Sequence, residues 1–295
     1  MSEQQLDFFS DIFLSDMGIG VEQGPSPGAG PALVLSEIDD ERLVAAIPES
    51  SLANSGVLAA ESGRRRLAAA VPALATLCRR FAGFGTRRPV AEQAAAIEAL
   101  VMIGGRDAAH AVSQLIERAV VQEPTLPVAV SAAARLGSTL SPDALRRLLR
   151  HAEPSIRADA CRCARPLPDL ILILIDLLDD LDRRVAISAA SALGRMGRIE
   201  ARPILKGLLR DDPSEDVIDA VSSIADEECA VLLGRIARSR PVLADAALIS
   251  LENIDAARAA SIAAAIRRLR PALQDSGSGG ARGEATIRPA KAATE

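Results

Sequence analysis

The sequence predicts an all-α fold, a solenoid in which helical pairs stack along one direction, and three observations predict it. Hydrophobic residues make up 49% of the 295-residue chain but aromatics only 2%, with no Trp or Tyr, so the core must be built from Ala, Leu, Ile and Val. That is a helix-packing vocabulary, whereas a sheet protein of this size draws on many more aromatics. A pattern recurs about every 29 residues through the middle of the chain, which is the signature of a repeat array. Gly- and Pro-rich stretches bracket that array at both ends.

Residues 1–31 read as a flexible arm, because Gly24-Pro25-Ser26-Pro27-Gly28-Ala29-Gly30-Pro31 suits neither helix nor strand. Within it, segment 6–17 is amphipathic: Leu6, Phe9, Phe13 and Met17 share one helical face, with Asp7 and Asp11 elsewhere on the wheel. Such a segment folds into a groove on a partner or docks on the first repeat of its own chain. Its acidic polar face argues against a membrane surface. Residues 32–87 read as a helical N-terminal cap. Ser36-Glu37-Ile38-Asp39 resembles a capping box ahead of Leu43, Val44 and Ile47, predicting a helix over 36–47, and Arg64 to Phe84 is helical in composition.

Residues 88–272 form the predicted array. Ala132-Ala133-Ala134-Arg135-Leu136-Gly137 is repeated as Ala189-Ala190-Ser191-Ala192-Leu193-Gly194, 57 residues on, which is two periods. Ile156-Arg157-Ala158-Asp159-Ala160 marks the unit between them, Ala99-Leu100 followed by Gly104 an earlier one, and Val217 to Ala225 and Asp245 to Leu251 two later ones. Six units result. Each reads as an Ala-rich first helix, a turn, a second helix ending in an apolar pair, and a polar turn such as Asp211-Asp212-Pro213-Ser214. The apolar pairs are Leu115-Ile116, Leu148-Leu149, Leu177-Leu178, Leu208-Leu209 and Ile236-Ala237. One helical pair cannot bury its own apolar faces, so neighbours must stack. Residues 273–295 carry Ser276-Gly277-Ser278-Gly279-Gly280 and an apolar-poor tail, expected to be disordered.

The run from Asp179 to Leu209, through Arg183-Arg184-Val185-Ala186, Ala192-Leu193-Gly194-Arg195-Met196-Gly197 and Ala201-Arg202-Pro203-Ile204-Leu205, resembles a HEAT-like repeat of the bilin-lyase type. The resemblance is densest over 182–217, extends over 88–181, and thins after 218 and before 88. It implies a right-handed α-solenoid of about six HEAT-like pairs behind a helical cap, with first helices on the convex side and second helices lining the concave side where partners bind. It also raises a role as an assembly or cofactor-maturation accessory.

Several chemistries find no support. His110 and His151 are the only histidines and fall in different units, so no metal-ligand set is formed, and the paired His-Glu dipeptides of iron-binding HEAT-like hydroxylases are missing. Cys161 and Cys163 lie two apart on a helix and point about 200° away from one another, which suits small core residues and not a redox pair. There is no nucleophile elbow, Walker loop or dinucleotide fingerprint; Gly104-Gly105 and Gly194 to Gly197 are read as left-handed helix ends. The net charge of −5 argues against nucleic acid, as does the lack of the aromatic and basic concave face that HEAT-like DNA glycosylases use. With no secretion signal, no apolar run near the ~20 residues of a membrane span and scattered cysteines, the chain is expected to be cytoplasmic, non-catalytic and free of cofactors.

What remains is a column. The residue after each apolar pair is Glu117, Arg150, Asp179, Arg210 and Arg238, with Arg268 by looser alignment, and Arg146, Arg147, Lys206 and Arg235 lie about a turn earlier. A solenoid places these cations in a row, predicting a face for an acidic or extended protein segment. Equally, arginines at helix C-termini complement the helix dipole and pair with inter-unit aspartates such as Asp179, Asp182, Asp211 and Asp212. An acidic cluster of Asp169, Asp176, Asp179, Asp180 and Asp182 either divides the basic row or offers a second patch. The expected partner-binding residues are thus Arg146, Arg147, Arg150, Lys206, Arg210, Arg235 and Arg238, with Phe9 and Phe13 of the arm.

Overall fold

The computed structural model describes residues 38–84 and 88–277, with side chains through 268. Among the described residues there are fifteen α-helices and no strand. A short α1 (Asp40–Ala46) precedes seven pairs: α2 (Leu52–Arg64) with α3 (Val71–Arg80), α4 (Ala91–Ile103) with α5 (Gly105–Glu117), and α6 (Leu126–Arg135) with α7 (Pro142–Leu149). They continue as α8 (Pro154–Cys163) with α9 (Pro168–Asp176), α10 (Arg183–Arg195) with α11 (Arg202–Asp211), α12 (Glu215–Ser222) with α13 (Glu227–Ser239), and α14 (Ala244–Asn253) with α15 (Ala257–Gly277). Six of these pairs begin within the expected array, the last running on to Gly277, and α1 to α3 precede them. The described residues from Asp40 onward belong to one compact unit.

Local chemistry accounts for where the helices begin. Ser141 accepts a hydrogen bond from the Ala144 amide, Asp182 from Arg184, Ser214 from Val217 and Asp226 from Cys229, each satisfying an orphan donor of a first turn. Pro142, Pro154 and Pro168 occupy first helical positions, where a missing N–H costs nothing.

Stacking runs through two layers. Each first helix packs on the next, from α2 through α14, and each second helix from α3 to α13 packs on the first helix of the following unit. First helices present Ala: Ala94, Ala96 and Ala99 of α4, Ala129, Ala132 and Ala133 of α6, and Ala189, Ala190 and Ala192 of α10 are all buried. Second helices bury their apolar pairs between layers. Contacts within the second layer are less even: α3 packs on α5, α7 on α9, α11 on α13 and α13 on α15, while α5 barely meets α7 and α9 barely meets α11.

Arg64 to Phe84 is largely helical, broken by a turn at Arg66, whose φ is +53°, after which helical structure resumes at Ala68. Two sequence expectations are corrected. The helix expected over 36–47 is described over Asp40–Ala46, and Ser36 lies outside the described residues. Gly194 is not a left-handed helix end; that role belongs to Gly197, with φ +73°, while Gly194 sits inside α10 where its missing side chain admits the backbone of Ala220.

Candidate functional site

The geometry of the second helices decides how the expected cations are used. In α7 the residues Ala144, Leu145, Leu148 and Leu149 are buried, so Arg147 and Arg150 face out and Arg146 sits half-buried at the same surface. In α11 the buried set is Leu205, Leu208 and Leu209, which turns Lys206, Gly207 and Arg210 outward. In α13 Arg235 and Arg238 remain exposed above a broad buried face.

The register slips in the third unit. Leu177 and Leu178 are not the buried pair of its second helix: they lie beyond α9 in a 3-10 turn, Leu177–Asp179, and are only partly buried. Pro168 sets the start of α9, so the pair that faces inward is Ile173–Leu174, at 6% and 0% exposure. The column therefore reads Glu117, Arg150, Ile175, Arg210 and Arg238, and Asp179 drops out of it. The position before each pair reads Gln114, Arg147, Leu172, Gly207 and Arg235.

Some cations are neutralised within the array. Arg146 pairs with Asp143 on its own helix and lies 3.8 Å from Asp169 of α9. Lys206 pairs with Glu228 and, at 3.4 Å, with Asp226, while Arg210 donates to Glu228 at 3.1 Å. These contacts tie α11 to α13, and the Glu228 hydrogen bond followed by Asp226 holds the Lys206 ammonium above its ordinary pKa. Pairing thus occurs with acids at the start of the next second helix, and not with the turn aspartates that the sequence suggested. The turn aspartates Asp180 and Asp182 are engaged elsewhere: Asp180 by Arg157 of α8, and Asp182 as the cap of α10.

Others stay uncommitted. Among the described residues Arg147, Arg150 and Arg235 make no ion pair, and Arg238 donates only its Nε, to the carbonyl of Gly234 at 3.0 Å. The acidic cluster shrinks likewise, since Asp169, Asp180 and Asp182 have partners and leave Asp176 and Asp179 exposed. Phe9 and Phe13 lie outside the described residues.

Two residues that sequence reasoning passed over belong to this face. Leu172, 65% exposed, stands on α9 between the α7 and α11 cations, and a Cβ on Gly207 would meet nothing within 4 Å. The signal for Leu172 was Pro168, which places the start of α9 and with it the register; Gly207 stood directly before the Leu208-Leu209 pair.

The remaining candidates stay apart. His151 donates from Nε2 to Glu123 at 2.6 Å and accepts the Glu153 amide at Nδ1. His110 lines an open cleft of about 510 Å³ with Gly105, Arg106, Ser113, Gly137 and Thr139, a lining that includes none of the seven cations. Cys78, Cys161, Cys163 and Cys229 are buried free thiols, and burial pushes the first three to about 12 and Cys229 to about 11. Among the described residues no group of three or more His, Cys, Asp or Glu converges as a metal site. No helix among them is long and apolar enough to cross a membrane.

Comparison with known proteins places the fold. Residues 141–225 match the family model for HEAT repeats. A chain from the complex of CpcE and CpcF of the phycocyanin lyase of Nostoc sp. PCC7120 is similar in structure, with a TM-score of 0.51 and 17% identity over 86% of this chain and 99% of that one. No curated protein matches in sequence.

Proposed function

We propose that the chain is a non-catalytic scaffold in the cytoplasm that binds an acidic or extended protein segment across the outward face of its second helices. The observation that carries this reading is the set of exposed arginines there, Arg147, Arg150 and Arg235, which make no ion pair among the described residues. HEAT repeats over 141–225 and a fold shared with a chain from a two-protein complex favour a protein partner. Arg146, Lys206, Arg210 and Arg238 border the same face, and the arm with Phe9 and Phe13 supplies a second contact.

The test is an affinity pull-down from native lysate comparing wild type, the Arg150→Glu/Arg210→Glu/Arg238→Glu variant, and a deletion of residues 1–20. A partner held by wild type and released by the charge reversal, with helicity unchanged, supports the face. A partner that survives both changes sinks it.

A second reading, an accessory for assembly or cofactor maturation, is favoured by the likeness to the lyase complex. It predicts that co-expression with genomic neighbours yields a protein carrying a chromophore or an apo-protein; a colourless product without a bound chain counts against it.

A further inference from the structure

The row one position ahead of the buried pairs has an uneven composition that points to a ligand. From α7 to α13 it reads Arg147, Leu172, Gly207, Arg235: a free cation, an exposed apolar side chain, a position with no side chain, and a second free cation. At its centre α9 and α11 barely touch, whereas α7 packs on α9 and α11 on α13. The middle of the row is thus an unpacked step, with Leu172 exposed on α9 and open space at Gly207 on α11.

Charge sorts the occupants. The cations of α11 on either side of Gly207, Lys206 and Arg210, are already paired with Asp226 and Glu228, so the array neutralises its own centre and leaves Arg147 and Arg235 free at the two ends. An exposed Leu on α9 and an open Gly on α11 suit an apolar side chain, which would remove the Leu172 surface from water.

We propose that this row binds an extended protein segment that lays a large apolar side chain over Leu172 and Gly207 and sets carboxylates against Arg147 and Arg235. The proposal rests on the protein-binding reading of the second-helix face and narrows it to one line of residues. Packed second helices stand about 8–10 Å apart and the unpacked α9–α11 step is wider, so the two arginines are separated by roughly 30 Å. At about 3.3 Å per residue an extended segment spans that in about nine residues. The partner carries acidic residues about nine apart with an aliphatic or aromatic residue midway.

Fluorescence anisotropy with a labelled ten-residue peptide, two glutamates at each end and Leu-Val in its centre, tests this on the full chain. The comparisons are Leu172→Glu, Gly207→Gln, Arg147→Glu/Arg235→Glu and, on the neutralised pairs, Lys206→Gln/Arg210→Gln; all are surface changes, with helicity checked by circular dichroism. The expected result is that wild type takes the peptide and not its Gln-for-Glu counterpart. Each of the first three variants should weaken binding about tenfold or more, and the last less than about threefold. The proposal is overturned if wild type ignores the peptide, if Leu172→Glu and Gly207→Gln bind as wild type does, or if only the Lys206/Arg210 variant loses binding. The pull-down separates the two readings. A lysate partner that tolerates Leu172→Glu and Gly207→Gln but is lost on Arg150→Glu/Arg210→Glu/Arg238→Glu rejects this row and keeps the face.

Discussion

Arg157 on α8 and Asp180, in the turn that leads to the next unit, are joined by two hydrogen bonds, Nε to Oδ2 at 2.8 Å and Nη2 to Oδ1 at 2.9 Å. The side chains are only 16% and 7% exposed. Arg157 also donates from Nη1 to the carbonyls of His151 and Ala152, and Asp180 accepts the Asp182 amide, so the pair fastens one unit's entry turn to the next unit's. The Arg157 hydrogen bond holds the Asp180 carboxyl below the usual carboxylate range.

Breaking such a pair from one side leaves a desolvated charge. Arg157→Met and Asp180→Asn should therefore each lower stability by about 3 kcal/mol in urea denaturation, and the double variant by less than their sum. Additive losses would mean that the two side chains act separately.

Gly194 and Gly207 are both helical glycines, and their environments predict opposite outcomes for alanine. A Cβ on Gly194 would collide with the Ala220 carbonyl oxygen and lie 2.7 Å from Leu205 Cδ1, and backbone has little room to yield. Gly194→Ala should destabilise by about 1–3 kcal/mol, as overpacking of a core does. At Gly207 the space is open, so Gly207→Ala should stabilise by up to about 1 kcal/mol through helix propensity. Thermal melts of the two variants settle the matter, and equal shifts would contradict the close approach.

Gly194 also shows where sequence reasoning stopped. The Ala-rich first helices and the paired apolar residues of the second helices were legible because burial imposes a period on side-chain type. Gly194 stood beside Gly197 near a helix end, and local rules cannot tell a turn glycine from one thinned for a neighbouring backbone. The candidate face was legible as a cation column, but its register was not. Leu177 and Leu178 imitated the buried pair that Ile173 and Leu174 supply, and only the helix start at Pro168 separates them. Which arginines are free depends on Asp226 and Glu228, about 20 residues away, a distance at which no sequence spacing rule operates.

Acid should weaken the cap before it weakens a variant lacking one carboxylate. Glu61 of α2 bonds Arg64 at 2.7 and 2.8 Å and Arg65 at 2.7 Å, and Arg65 reaches Asp40 of α1. The hydrogen bonds from Arg64 and Arg65 lower the Glu61 carboxyl from 4.5 to about 2. A folded-state pKa below the unfolded one means that the contribution is complete above pH 4.5 and disappears as pH falls toward 2. Urea midpoints of wild type and Glu61→Gln should converge across that interval, with wild type the more stable at pH 7. A gap undiminished between pH 5 and pH 2 would show that packing of the Gln, and not the charge, sets the difference.

The four cysteines give the last prediction, because their chemistry follows from burial alone. Cys161 and Cys163 flank Arg162 in α8, yet both are buried while Arg162 is exposed, and burial raises each thiol to about 12. Only the thiolate reacts, and at neutral pH a thiol with that pKa is thiolate to about one part in 10⁵. Native protein should therefore leave Cys78, Cys161, Cys163 and Cys229 unmodified by a thiol-specific chromogenic reagent at pH 7.5, and all four should react once guanidinium unfolds the array. The rate should track unfolding: Gly194→Ala, by loosening α10 against α12, should speed modification of Cys161 and Cys163 in the adjoining α8 more than that of Cys78 in α3. Rapid labelling of any cysteine in the native wild type would mean that its helix opens far more often than its packing allows.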